Sequence, residues 1–359
     1  MRFAKFSRIV IYVALHALTA SAAHAQDAKE NAEPTSGALI GKNPVLLEMD
    51  HNIRTHDPVI AKEGDAYYVF CTGGRQRQNC IPIFISNDLK DWRRAGSVFE
   101  ALPDWVESEV PKATNCWAPD ISFFNGEYRL YYSLSSFGVN NSAIALATNK
   151  TLNPQSADYH WSDQGVVIRS KSGHDDFNAI DPNIVIEDDN NIWIVWGSFW
   201  GGIMLRRIDP ATGKLSATDA TMYNLAARPR TSEHVEPPVE GAIEAPFLIK
   251  RGEWWHLFVS HDFCCRGADS NYKVVVGRSR NLTGPYLDKS GIAMTQGGGT
   301  LILETTNANW HGAGHPAVYE ENGQYYLLFH AYPSSARGSW LRISTIVWED
   351  DWPRVALLP

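Results

Sequence analysis

The sequence predicts an all-β protein, a five-bladed β-propeller, and three observations lead there. The first is a pattern that recurs five times, as HDPVIAKEGDAYYVF at 56, WAPDISFFNGEYRLYYS at 117, DPNIVIEDDNNIWIVWGS at 181, EAPFLIKRGEWWHLFVSHD at 244 and HPAVYEENGQYYLLFHAY at 315. Each copy opens on a Pro beside Asp, Glu or His, runs through apolar residues, turns at Gly, Asp or Asn, and returns through an aromatic strand. The second is spacing. The marker residues Asp57, Asp120, Asp181, Glu244 and His315 are 63, 61, 63 and 71 positions apart, which implies an array of equal units. The third is that apolar residues nowhere sustain the i, i+3, i+4, i+7 period, which argues against helical solenoids and a βα barrel.

Each unit has room for about four strands, and further runs such as SAIALATN at 142 and KVVVGRSRN at 273 supply them. Four-stranded units repeated radially are propeller blades. A β-sandwich also uses many short strands, but it does not predict five copies of one pattern.

In chain order, residues 1–25 read as an export signal: Arg2, Lys5 and Arg8, an apolar run from Ile9 to Leu18, then Ala23-His24-Ala25. That run is shorter than the ~18 to 20 residues of a membrane span. Residues 26–48 form a polar leader, and residues 49–359 a single propeller domain ending in RISTIVWEDDWPRVALLP. The composition, 44% apolar and 20% charged with 13 Trp, 14 Tyr and 14 Phe, excludes disorder and coiled coils. Signal removal takes three of the 32 positive charges and none of the 40 negative ones, leaving a formal net of −11. Such a surface disfavours nucleic acid and acidic polymers as partners.

Five cysteines, at 71, 80, 116, 264 and 265, cannot all pair within one chain and exclude a dense disulfide scaffold. Cys71 ends one strand-like run and Cys80 begins the next, so an oxidising compartment makes a bridge across that hairpin an expectation. No Cys-x-x-Cys pair exists for zinc, and the adjacent Cys264 and Cys265 read as buried thiols.

In a propeller the first strand of every blade lines a central channel, so Asp57, Asp120, Asp181, Glu244 and His315 are expected to converge. An isolated Asp beside Pro is usually a turn cap. Four carboxylates and a histidine at one repeat position crowd like charges, which is costly unless a function or a cation requires it. In an exported, aromatic-rich chain this points to glycoside hydrolysis, where one carboxylic acid protonates the leaving oxygen and another carboxylate activates water. Two such groups need different pKa values, and a third carboxylate can tune them. No GxSxG, GxxxxGK[ST] or GxGxxG run is present. The GGG at 297 reads as a turn, and HDFCCRG at 261 as a loop beside the active face.

These residues resemble glycoside hydrolase family 43, most closely its α-1,5-L-arabinanases. The resemblance runs from about residue 50 to the end, through HDP at 56, CWAPD at 116, SSFGVNNSAIALATN at 135, NAIDPN at 178, WGSFWGGI at 196, AIEAPF at 242, FCCRG at 263 and GAGHP at 312. It implies an inverting hydrolase of arabinan or arabino-oligosaccharides. In that reading Asp57 is general base, Asp181 orients and tunes the acid, and Glu244 is general acid, with Glu240 as a decoy four residues earlier. The resemblance further implies that Trp117, Phe137, Asp120 and Asn178 contact or support the substrate. His315 would stand beside a calcium ion held largely by water. RQRQNC at 75–80 departs from the family pattern, which leaves endo against exo action open at that rim.

Three rivals share parts of this reading. A β-xylosidase or α-L-arabinofuranosidase of the same family would keep the three carboxylates. A propeller lectin would bind arabinan without cutting it, and has no need of an acid and base pair. After signal cleavage the expected location is the periplasm or the medium, with no membrane partner.

Overall fold

The computed structural model describes residues 43–74, 77–231, 240–305 and 307–359. The export signal, most of the leader and residues 75–76 of the departing segment therefore lie outside the described residues.

Twenty strands form five four-stranded antiparallel sheets, each a meander in chain order. Blade 1 holds β1 (Val59–Glu63), β2 (Ala66–Phe70), β3 (Gln78–Ser86) and β4 (Arg93–Ala101). Blade 2 holds β5 (Trp117–Phe124), β6 (Glu127–Leu134), β7 (Ser142–Asn149) and β8 (Ser162–Ser170), and a short helix, α1 (Val106–Glu109), precedes it. Blade 3 holds β9 (Asn183–Asp188), β10 (Asn191–Trp196), β11 (Ile203–Ile208) and β12 (Tyr223–Ala226). Blade 4 holds β13 (Ile243–Arg251), β14 (Trp254–His261), β15 (Lys273–Ser279) and β16 (Thr300–Leu303). Blade 5 holds β17 (Trp310–Glu321), β18 (Gln324–Pro333), β19 (Trp340–Glu349) and β20 (Trp352–Val355). The first strands touch one another in turn, β1 to β5, β9, β13, β17 and back to β1, so they form the innermost ring.

The sequence explains these elements locally. Asn125-Gly126 and Asn322-Gly323 make two-residue hairpin loops with both residues at positive φ, the conformation that twists with the flanking strands. Strand β7, SAIALATN, is buried at every position, because a middle strand is covered on both faces by neighbouring blades. The ring closes through residues ahead of β1. Leu46 and Arg54 bridge to Ser344 and Trp340 on β19, beyond the stretch that β20 covers. Residues 45–47, at the end of the polar leader, thus complete the outer edge of the last blade.

The repeat has a sharper register than its acidic markers suggest. Its constant feature is the residue before Pro: Asp57, Ala118, Asp181, Ala245 and His315, all at positive φ, between 39° and 58°. Proline carries no N–H to give to a ladder, and the pairing between first and second strands shifts at this point in blades 2, 4 and 5. Positive φ at a side-chain-bearing residue is sparsely populated and persists only where surroundings enforce it. Here the enforcement is a ring of ties between blades. The backbone N–H of each of these five residues donates to a side chain: Ala118 to Thr72 Oγ1 (2.9 Å), Asp181 to Ser133 Oγ (2.9 Å), Ala245 to Asp181 Oδ2 (3.1 Å), His315 to Ser260 Oγ (2.9 Å) and Asp57 to His330 Nδ1 (3.1 Å).

The cysteines correct two expectations. Cys71 and Cys80 do not bridge. They are free thiols, buried like Cys116, and the Cys80 side chain faces Cys116 instead. The disulfide that does form joins Cys264 to Cys265, half-buried and exposed respectively, so this pair is not two buried thiols.

Candidate active site

Asp57, Asp181, Glu244 and His315 do converge at the centre of the ring. Asp57 and Asp181 stand at the bulge itself, while Glu244 precedes it by one residue on β13. Asp57 Oδ1 lies 2.9 Å from His315 Nδ1, 3.5 Å from His330 Nδ1 and 3.6 Å from His56 Nε2, and Thr72 Oγ1 donates to its other oxygen. Burial by itself would raise the Asp57 pKa. The charges of His315 and His56 and the bond from His315 outweigh it and hold the group far below the ordinary carboxylate range. Burial opposes the charge on His315 too. Asp57, with Asp181 and Glu244 behind it, overrides that and pushes the imidazole up to about 9.

The other two carboxyls move in the opposite sense. Burial raises Glu244 although Ser198 Oγ (2.7 Å) and Tyr272 OH (2.8 Å) both donate to it. Burial also raises Asp181, and the charge of Glu244 adds to this, outweighing the N–H of Ala245. One buried cluster therefore contains a carboxyl whose pKa is pushed down and two whose pKa values are pushed up. Tyr272 reaches Glu244 because residue 314 is glycine: a Cβ there would sit 2.1 Å from the Tyr272 ring. The ring of Tyr272 in turn stacks on His330, and His330 on His56 at 4.0 Å.

Asp120 corrects the expected convergence. It lies one residue past its Pro, beside the ring rather than in the cluster, and accepts from Asn183 Nδ2 (3.1 Å) and the Ile184 N–H (2.8 Å) of blade 3. Asn183 repeats the device toward Leu248 of blade 4 (2.9 Å). Burial raises Asp120 to about 7. Trp117 is half-buried, its indole N–H donating to Asn115. Phe137 is 81% exposed on the β6 to β7 loop. Asn178 is buried, with its Oδ1 taken by Ser142. Glu240 stands apart, exposed and bonded to Thr231.

Sequence reasoning missed His56, Thr72, Ser198, Tyr272 and His330. His56 and Ser198 sit inside quoted motifs, HDP and WGSFWGG. His330 sits inside the quoted fifth repeat, on β18, while Tyr272 carries no local signal, because it enters from the loop just ahead of β15.

For a cation, His315 gives Nδ1 to Asp57 and keeps Nε2. Among the described residues the groups of three donors that lie together are His56, Asp57 and His330, and His56, Cys264 and Cys265; neither includes His315. The excess of carboxylates around His315 fits a calcium ion in charge. The donors make no oxygen cage, so water would have to fill the remaining positions.

The pattern of glycosyl hydrolases family 43 matches residues 42–353. The extracellular exo-alpha-(1->5)-L-arabinofuranosidase ArbA of Cellvibrio japonicus is 41% identical over 84% of this chain and 86% of its own length. The extracellular endo-alpha-(1->5)-L-arabinanase 1 of Bacillus subtilis is 39% identical over 90% and 92%. Among solved structures, the Cellvibrio cellulosa alpha-L-arabinanase complexed with arabinohexaose superposes with a TM-score of 0.81 at 39% identity, covering 85% of this chain and 96% of that one. On sequence, and on a matching fold, this chain belongs to glycosyl hydrolases family 43.

Proposed function

We propose that the chain is an arabinanase that hydrolyses α-1,5-L-arabinofuranosidic linkages with inversion. The observation that carries this reading is that Asp57 and Glu244, inside one buried cluster, are pushed in opposite directions in pKa. Glu244, whose pKa burial pushes up, donates its proton to the leaving glycosidic oxygen. Asp57, held ionised by His315, takes a proton from the water that attacks the anomeric carbon from the opposite face. Asp181 accepts the N–H that follows Glu244 and so orients the acid, while burial and the charge of Asp57 keep the acid's pKa up. Trp117, Phe137 and Asn178 contribute sugar contacts, and Asp120 acts from behind by locking blade 2 to blade 3. A calcium ion at His315 Nε2 would have to replace the proton of that imidazolium and would then supply the positive charge facing the cluster, and no step passes through it.

Both relatives are named extracellular, which supports export directed by residues 1–25. Endo action is the first reading. Exo action is the second, because the Cellvibrio japonicus relative is named an exo-enzyme at similar identity. Debranched linear α-1,5-arabinan, with product lengths followed over time by anion-exchange chromatography, separates them. Mixed oligomers appear early under endo action and a single short product under exo action. No cleavage by the folded protein would overturn the proposal in favour of the xylosidase or the lectin.

A further inference from the structure

The loop between β14 and β15 brings a second set of chemistry-bearing side chains up to the same centre from the solvent side. Cys265 Sγ lies 3.5 Å from His56 Nε2, and His56 Nε2 lies 3.6 Å from Asp57 Oδ1, so one imidazole connects an exposed sulfur to a buried carboxylate. The loop is held firmly. The Cys265 N–H donates to Tyr332 OH (2.9 Å), that of Arg266 to Ser270 Oγ (3.0 Å), and Phe263 and Asn271 exchange bonds across its base. One ligand atom from each of His56, Cys264 and Cys265 lies within 4.8 Å of the other two.

We propose that Cys264, Cys265 and His56 form a redox-gated binding site for a soft divalent cation, zinc by preference, beside the carboxylate cluster. Two thiolates and one imidazole are a zinc donor set with a fourth position left to water. Zn–S and Zn–N bonds of about 2.3 and 2.05 Å put sulfur and nitrogen about 3.6 Å apart in a tetrahedron, which the Cys265 to His56 spacing already meets. The gate is the disulfide. Its sulfurs carry no thiolate charge and are poor ligands, so the oxidised protein is closed to metal.

A phosphine opens the gate in balance. The S–S bond breaks, two electrons pass from phosphorus to the sulfurs, water supplies the two thiol protons, and its oxygen leaves on the phosphine oxide. Zinc then displaces both thiol protons and binds the thiolates and His56 Nε2. That draws Nε2 away from Asp57 and puts a dipositive ion next to the proposed base. Loss of hydrolysis follows, an effect that rests on the function proposed above, whereas the binding itself does not.

The test uses the exported chain, reduced with a water-soluble phosphine without oxygen, desalted, and titrated with zinc against a chromophoric chelator. The expected result is one equivalent of zinc more in the reduced than in the oxidised protein. Cys71, Cys80 and Cys116 are free thiols in both states and cancel in that difference. The Cys264→Ser, Cys265→Ser double variant is expected to lose the extra equivalent. Equal zinc uptake by oxidised and reduced protein, or full uptake by the double variant, overturns the site. Zinc is further expected to abolish arabinan hydrolysis in the reduced protein, to leave the oxidised protein active, and to be reversed by a zinc-selective chelator in the presence of calcium. Zinc bound at one equivalent with hydrolysis unchanged overturns the coupling to Asp57, while a protein inactive before zinc is added overturns only the arabinanase reading.

Discussion

His315 Nδ1 and Asp57 Oδ1, 258 positions apart in sequence, meet at 2.9 Å across the junction where blade 5 closes on blade 1. The pair ties the proposed base to the last turn of the ring, so the charge state of Asp57 depends on completion of the propeller.

Replacement of His315 by Gln is expected to raise the Asp57 pKa and move the acidic limb of the kcat/KM profile to higher pH. Stability carries the same signature. His315 rises from 6.5 to about 9 on folding, so its contribution is complete below pH 6.5 and is lost as pH rises through about 9. Asp57 is depressed, so its contribution is present above 3.8 and lost as pH falls below it. Denaturant melts from pH 6 to 10 should show a decline in the wild type that is flatter in His315→Gln.

Glu244→Gln keeps the shape of the side chain and removes its acid. Hydrolysis of arabinan is expected to fall by about 10²–10⁴-fold while polymer binding persists. An aryl arabinofuranoside whose leaving group needs no proton should lose far less. Equal losses on both substrates would refute the acid role.

Tyr272→Phe deletes the donor that stabilises ionised Glu244 at 2.8 Å. The Glu244 pKa is then expected to climb further, extending the basic limb of the pH profile upward. A change in maximal rate with no shift of that limb would make Tyr272 a packing residue only.

Asp120→Ala leaves the Ile184 N–H and the Asn183 amide without their acceptor in the interior. A loss of about 1–3 kcal/mol is expected, read from denaturant midpoints. Turnover per folded molecule should persist, since the side chain points at blade 3 and not at the cluster.

The proposed calcium ion, if held through one imidazole and water, would exchange readily. Dialysis against a chelator is expected to lower kcat/KM, and added calcium to restore it without a large change in melting temperature. Full activity in the calcium-stripped protein would remove the ion from the proposal.

Local chemistry in the sequence determined the blade count, the strand and hairpin pattern, and the three carboxylates gathered around His315. Period-2 runs, Asn-Gly turns and a recurring X-Pro step need only near neighbours to be read. The repeat also misled where two of its copies put Ala before Pro: Asp120 follows its Pro and serves the seam between blades, while Glu244 precedes the bulge and still reaches the centre. Only tertiary structure decided which residues surround the carboxylates. Ser198 and Tyr272 come from loops that the ring folds inward, and no spacing in the chain marks them; Thr72 and His330 each stand 15 residues past the residue before Pro, a spacing whose meaning only the folded ring reveals. Tertiary structure likewise decided which carboxyl pKa values rise and which falls, since carboxyl groups part ways through burial, neighbouring charges and hydrogen bonds that only the fold supplies. It also decided the cysteines. Cys71 and Cys80 flank a hairpin but stay apart as buried thiols, while the neighbouring Cys264 and Cys265 are joined on the rim beside His56.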